Sequence, residues 1–384
     1  MFLLSELTDY QKSLLTRLAY LNIDFNRFNK IKEARKKITI SDLKEMISNP
    51  NELYIGSLHM PILKKRVTHI DTTSIEFIEE IENAGLGGFE IIDYIDDKEK
   101  GFNSLCFKDE GGNIGFSFRG TDLKTFSSFV ADGIADIEAY LTNNTVQIEK
   151  ADKLFNRYKN TLGRNYIYGH SLGGFLAENV YLRNYKDIAN VFIVNPLHIN
   201  GDLLDTKEKV NAFNDRKKFT CFVIGGDYIS FINIPDLFSE NVHYVKNSGK
   251  TANNPFGNHM IEAGKLDENG NFIEMEKNDA FEGHTVDGLK DVIHFIQEES
   301  VKGFMSNTLF KIKKYMKLFK RYLNKLFKRR EKNIADIENN ITVKNSSGFD
   351  EYINPNNYPK NNINRYDNKV IRKKREEKDI DYTR

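Results

Sequence analysis

The sequence predicts an α/β fold: a mostly parallel central sheet with helices on both faces. Three observations carry that expectation. Short apolar runs recur along the middle of the chain, and segments of helical periodicity fall between them. One run, Asn165 to His170, leads through Gly169-His170-Ser171-Leu172-Gly173 into a helix-like segment, a strand-turn-helix signature. The composition, 40% hydrophobic over 384 residues, is enough for a sizeable core.

The elements follow in order. Residues 5 to 22 read as a helix, because Leu7, Tyr10, Leu14, Leu15 and Leu18 recur at three- and four-residue spacing. Residues 41 to 49 read as a second, shorter helix, with Ser41 as N-cap and Pro50 beyond its end. Ser104 to Phe107 and Ile114 to Phe118 read as strands joined by the turn-forming Asp109-Glu110-Gly111-Gly112-Asn113. Further strands are expected at Ile167 to Tyr168, Val191 to Val194, Thr220 to Ile224 and Val242 to Val245. Helices are expected at 147–160, 172–185 and 205–214. The resulting organisation is a folded body over residues 1–300, a basic amphipathic helix over 301–332, and a tail over 333–384. That tail is rich in Asn, Lys and Asp and is expected to be disordered.

Charge divides the chain the same way. The overall net charge is only +1, yet residues 1–301 sum to −11, residues 302–332 to +11 and residues 333–384 to +1. Two cysteines occur, Cys106 and Cys221, both in apolar strand-like runs, which suits small buried side chains rather than a disulfide or a metal site. No C-x-x-C or H-E-x-x-H pattern is present, so neither a metal nor a cofactor is expected. The first residues lack a basic start and a long apolar core, and no run approaches the ~20 apolar residues of a membrane span. A cytoplasmic or peripheral-membrane location is expected, with export by a route lacking a cleavable signal left open.

The chemistry centres on Ser171. A serine hydroxyl is a weak nucleophile and needs exposure, a base and an anion-stabilising pocket. A tight strand-to-helix turn exposes it, and Gly169 and Gly173 flank it where a Cβ would crowd the turn. Phe116-Ser117-Phe118-Arg119-Gly120-Thr121-Asp122 is a strand ending in glycine, so the Thr121 and Leu172 amides are candidates for the oxyanion pocket. Without its surroundings that stretch is also an ordinary strand-end turn. Phe222-Val223-Ile224-Gly225-Gly226-Asp227 places an aspartate after a strand and a glycine turn, where it is able to orient a histidine. The same residue also reads as a turn aspartate capping its own backbone. The base is His259, in a loop directly after the last expected strand, or alternatively His284, also in a loop. His243 lies inside a strand and His294 in a helix-like segment, so both are set aside.

Gly169-His170-Ser171-Leu172-Gly173-Gly174, the upstream Phe118-Arg119-Gly120-Thr121-Asp122, and Asp227 in its strand-end setting together resemble the class 3 lipase group of α/β-hydrolases. Leu14 to Tyr20 and Asn258-His259-Met260-Ile261-Glu262-Ala263-Gly264 are similar to its bacterial Mbeg1-like branch. The resemblance spans about residues 10–275. It implies an α/β-hydrolase fold and hydrolysis of acyl esters in lipids or phospholipids. Position by position, it implies Ser171 as nucleophile, Asp227 as acid, His259 as base, and Thr121 with Leu172 as oxyanion donors. The chain departs from the group in having no tryptophan; Phe126 and Phe129 stand where relatives often carry one soon after the Arg-Gly-Thr run.

From 304 to 330, Met305, Leu309, Ile312, Met316, Phe319, Leu323 and Leu326 form an apolar stripe, with Lys and Arg filling the other face. Such a helix suits an anionic membrane surface, packing against the acidic body, or a partner helix; nucleic acid is not the expected ligand. Three functions remain open on sequence: a lipase or phospholipase, a soluble carboxylesterase on small esters, and a membrane-active protein whose hydrolase body is non-catalytic.

Overall fold

The structure, a computed structural model, describes residues 2–50, 59–60, 65–66, 72–97, 101–120, 146–162, 164–199, 216–227, 241–249 and 257–280. The expected helix at 205–214, the basic segment 301–332 and the tail 333–384 lie outside the described residues.

Among the described residues, seven strands form one sheet in strict chain order: β1 (Glu90–Asp97), β2 (Phe102–Lys108), β3 (Ile114–Phe118), β4 (Asn165–His170), β5 (Ile188–Val194), β6 (Phe219–Ile224) and β7 (Val242–Val245). β1, β2 and β3 are antiparallel, and β3 to β7 are parallel. A separate two-strand ribbon pairs His59–Met60 with Lys65–Arg66.

Alternation along the strands sends side chains to two cores. Leu105, Phe107, Tyr168, Phe192, Val194, Phe222 and Ile224 face the N-terminal helices α1 (Asp9–Arg17), α2 (Phe25–Ala34) and α3 (Ser74–Asn83). Cys106, Phe116, Ile167, Val191, Ile193, Cys221 and Val223 face α4 (Val146–Tyr158) and α5 (Leu172–Asn184). Both cysteines are fully buried in that second core. Helices on both faces of a mostly parallel sheet, with a sharp turn at the end of β4, make this an α/β-hydrolase fold.

Two boundaries differ from expectation. The helix expected over 5–22 begins only at Asp9, because Thr8 and Gln11 form a reciprocal capping box. It gives way after Arg17 to a tight turn, Leu18–Tyr20, closed by Leu21 N–H donating to Leu18 O. The segment expected to be a helix at 41–49 is a 3₁₀ turn, Ser41–Met46, and Ser41 is not its cap. There Asp42 accepts from the backbone and hydroxyl of Thr39, so the turn is tied backward, and bonds of i→i+3 type follow. Sequence reasoning missed α2, α3 and the edge strand β1 altogether.

α5 is buried nearly all round. Its one carboxylate, Glu178, is satisfied by the Ile199 N–H at 2.7 Å and by His198 Nδ1 at 2.5 Å. This ties the loop after β5 to the helix after β4.

Candidate active site

Parallel strands bring their carboxyl ends to one edge of a sheet, and loops leaving that edge can converge. Here the ends of β3, β4, β5 and β6 lead to Gly120, Ser171, Asn195 and Asp227.

Ser171 stands between β4 and α5 with φ 56 and ψ −128, a conformation that costs a non-glycine residue free energy. The turn is over-determined by its neighbours. The Ser171 carbonyl accepts from the N–H groups of Gly174, Phe175 and Leu197 at 2.9, 3.3 and 3.0 Å. The two flanking glycines are required by close approach. A Cβ on Gly169 would lie 2.4 Å from the Gly173 oxygen, and one on Gly173 only 2.1 Å from the Phe118 oxygen. The start of α5 is therefore pressed onto the end of β3. Leu172 opens α5, and its N–H is among those an α-helix leaves without an intrahelical acceptor.

Asp227 follows the turn Gly225-Gly226 at the end of β6 and is fully buried. Its Oδ2 lies 3.1 Å from His259 Nδ1, and His259 is itself only 4% exposed. A buried carboxylate accepting the Nδ1–H fixes the tautomer, so Nε2 carries the free lone pair. Among the described residues His259 Nε2 hydrogen-bonds to nothing. Ser171 Oγ and His259 Nε2 are not hydrogen-bonded to each other; such bonds often tighten only when substrate binds.

The histidine loop is held by three asparagines. Asn258 donates to the Gly226 oxygen at 3.2 Å and accepts from Asn247 Nδ2 at 2.9 Å, while Asn247 also donates to the Gly225 oxygen at 3.1 Å. Asn195, fully buried at φ 43, donates through Nδ2 to the carbonyls of Asn258 and His259 at 3.2 and 3.0 Å. Its Oδ1 accepts from Ile224 N at 2.8 Å. His170 packs its ring 4.8 Å from that of His259. Burial, with the charge of His259 second, pushes the pKa of His170 down to about 3, so the ring is neutral near neutral pH.

The structure thus brings Asp227 and His259 together and sets Ser171 at a strained elbow. Thr121 and the alternative base His284 lie outside the described residues, as do Phe126, Phe129 and His294. His243 sits on β7 as expected, near Glu274 Oε1 at 2.9 Å and against the Phe222 ring, away from these contacts. Asn195 escaped sequence reasoning, although an asparagine between an apolar run and Pro196 is a turn signal. Among the described residues no group of three or more His, Cys, Asp or Glu side chains is arranged to hold a metal ion.

No protein-family model matches the chain, and no curated protein matches it. Several solved structures show a loose likeness, two lipases among them. A triacylglycerol lipase from Penicillium expansum aligns at 15% identity and a TM-score of 0.28, over 50% of this chain and 76% of that one. The extracellular lipase LipA from Serratia marcescens aligns at 16% identity and a TM-score of 0.29, over 58% of this chain and 40% of that one.

Proposed function

We propose that this chain is a serine ester hydrolase of the class 3 lipase type, close to its Mbeg1-like branch, and that it cleaves acyl esters of lipids or phospholipids. The observation that carries the proposal is the buried Asp227–His259 pair, with Nε2 unengaged, packed against the His170 ring one residue before a serine held at positive φ between strand and helix. In this reading Ser171 Oγ attacks the ester carbonyl while His259 Nε2 takes its proton. Asp227 holds Nδ1–H and stabilises the imidazolium. The N–H groups of Leu172 and Thr121 receive the oxyanion. Collapse of the tetrahedral intermediate breaks the ester C–O bond, and His259 returns the proton to the leaving alcohol. Water, deprotonated by His259, then releases the acid from the acyl-enzyme. The lipid substrate is supported by sequence alone: the motifs shared with lipases, and the apolar and cationic stripes of residues 304–330.

Fluorophosphonate labelling and ester turnover test this on wild type and Ser171→Ala. Loss of label, and a fall in turnover of about three orders of magnitude or more in a folded variant, is the expected result. Turnover retained by Ser171→Ala refutes it. His259→Ala and His284→Ala form a second pair; loss only in the latter moves the base to His284. Faster turnover of emulsified or vesicular lipid than of monomeric ester is expected, and the opposite preference favours a small-ester carboxylesterase.

A further inference from the structure

We infer that Tyr20, supplied by the N-terminal segment, is a positioning residue for the Ser171 site. It locks the strand end that leads into residue 121, the residue before Ser171, and the backbone of His259 into one hydrogen-bonded chain. This rests on the serine-hydrolase reading above.

The chain has three links. Gly120 N lies 2.9 Å from Tyr20 Oη, Tyr20 Oη lies 2.7 Å from His170 Nδ1, and His170 Nε2 lies 2.7 Å from the His259 carbonyl oxygen. Its polarity admits one solution. A carbonyl only accepts, so the proton of the neutral ring is on Nε2. Nδ1 is then an acceptor, and the Tyr20 hydroxyl must donate to it. The hydroxyl oxygen is left to accept from the Gly120 N–H. The neutral ring this requires is the form that burial favours.

Each end of the chain adjoins a working part of the proposed site. Gly120 precedes Thr121 and presses on the elbow: a Cβ built on it would lie 2.8 Å from Ser171 Cβ and 2.5 Å from the His170 oxygen. His170 precedes Ser171. The carbonyl at the far end belongs to the histidine paired with Asp227. Tyr20, His170 and His259 are 6%, 5% and 4% exposed, so water is poorly placed to replace a lost link.

Residues just before Tyr20 grip the same loops. The Thr16 carbonyl accepts from Ser117 Oγ at 3.0 Å, at the end of β3, and Arg17 Nε pairs with Glu262 at 2.6 Å, just beyond His259. The end of α1 therefore ties the end of β3 and the histidine loop to one N-terminal element.

The test is Tyr20→Phe in the full chain, which removes the hydroxyl and keeps the ring. With a soluble p-nitrophenyl ester, kcat is expected to fall about ten- to a hundredfold while KM changes less than about twofold. Misplaced donors cost transition-state stabilisation more than ground-state binding. In the ¹⁵N spectrum of labelled histidine, the His170 Nδ1 resonance, assigned by its absence in His170→Gln, should shift toward the value of an unbonded imine nitrogen. An unchanged kcat in a folded Tyr20→Phe protein overturns the inference, and so does an unmoved resonance. If Tyr20→Phe does not fold, the wild-type spectrum decides: a proton on Nε2 of His170 supports the chain, and one on Nδ1 refutes it. Ser171→Ala keeps the two ideas apart. If it retains turnover, the serine-hydrolase reading fails on its own account, and the spectrum still reports on the hydrogen-bonded chain.

Discussion

Asn195→Ala is expected to be among the costliest single substitutions in the described part of the molecule. The side chain makes three hydrogen bonds, one part-buried to the Asn258 carbonyl and two buried, to the His259 carbonyl and from Ile224 N. Each is worth about 1 kcal/mol net, so their loss costs about 3 kcal/mol. The His259 carbonyl keeps a second donor, His170, but the Ile224 N–H loses its acceptor in a buried setting. Alanine at φ 43 adds about 1 kcal/mol of backbone strain that asparagine tolerates better. The sum, about 4 kcal/mol, is a large fraction of the ~5–15 kcal/mol that holds a typical domain folded. At roughly 2–4 °C per kcal/mol for a domain of this size, the thermal midpoint should drop by about 10 °C. Circular dichroism during a thermal scan measures it. A midpoint within about 3 °C of wild type would refute the claim that this side chain joins the ends of β5 and β6 to the histidine loop.

Other outcomes follow from the same contacts. Gly173→Ala puts a Cβ 2.1 Å from the Phe118 oxygen, so α5 must lift from β3; a stability loss of at least about 1–3 kcal/mol is expected in urea melts, with turnover falling alongside, and a neutral variant would contradict the packing. His170 titrates near 6.5 when unfolded and near 3 when folded, because burial and then the charge of His259 disfavour its cation. The unfolded chain thus takes up a proton below about pH 6.5 that the folded chain refuses, and this contribution to stability is complete above that pH and lost as pH falls toward 3. Wild type should lose stability against His170→Asn by up to about 1.4 kcal/mol per pH unit between pH 6.5 and 4, whereas parallel curves would refute the assignment. Replacing Lys311, Lys313, Lys314 and Lys317 by Gln should weaken binding to anionic vesicles by about 1 kcal/mol per residue at low salt and much less at high salt. Equal sedimentation of both forms would remove the membrane role from this segment.

The elbow was legible in the sequence because local chemistry dictates it: an apolar strand, two glycines where the backbone is crowded, and a helix-like run. Asp227 was legible for the same reason, since a strand followed by two glycines ends in a turn. What stayed hidden depends on partners distant in sequence. β1 reads as an acidic stretch, Asp93-Tyr94-Ile95-Asp96-Asp97, and not as a strand. In the fold Lys32 and Tyr158 reach Asp93 at 3.3 and 2.9 Å, and Lys150 pairs with Asp97, so these two carboxylates find partners outside the strand. α3 did carry a local signal, Thr73 with Glu76 three residues on, which forms a capping box. Tyr20 carried none. A tyrosine at the end of an amphipathic helix looks like core, and only the crossing of three chain segments brings its hydroxyl to Gly120 N and His170 Nδ1.

The strict chain order of the seven strands bears on how the protein comes into being. Each strand docks beside the one made just before it, so the sheet can grow by successive addition as the polypeptide leaves the ribosome. The histidine loop is different. It follows the last strand, yet it must close against residues 17, 170 and 195. A nascent chain halted at residue 250 would therefore hold all seven strands and still lack His259, the partner of Asp227. On the serine-hydrolase reading proposed above, turnover would switch on late in synthesis, after the bulk of the apolar surface is already covered.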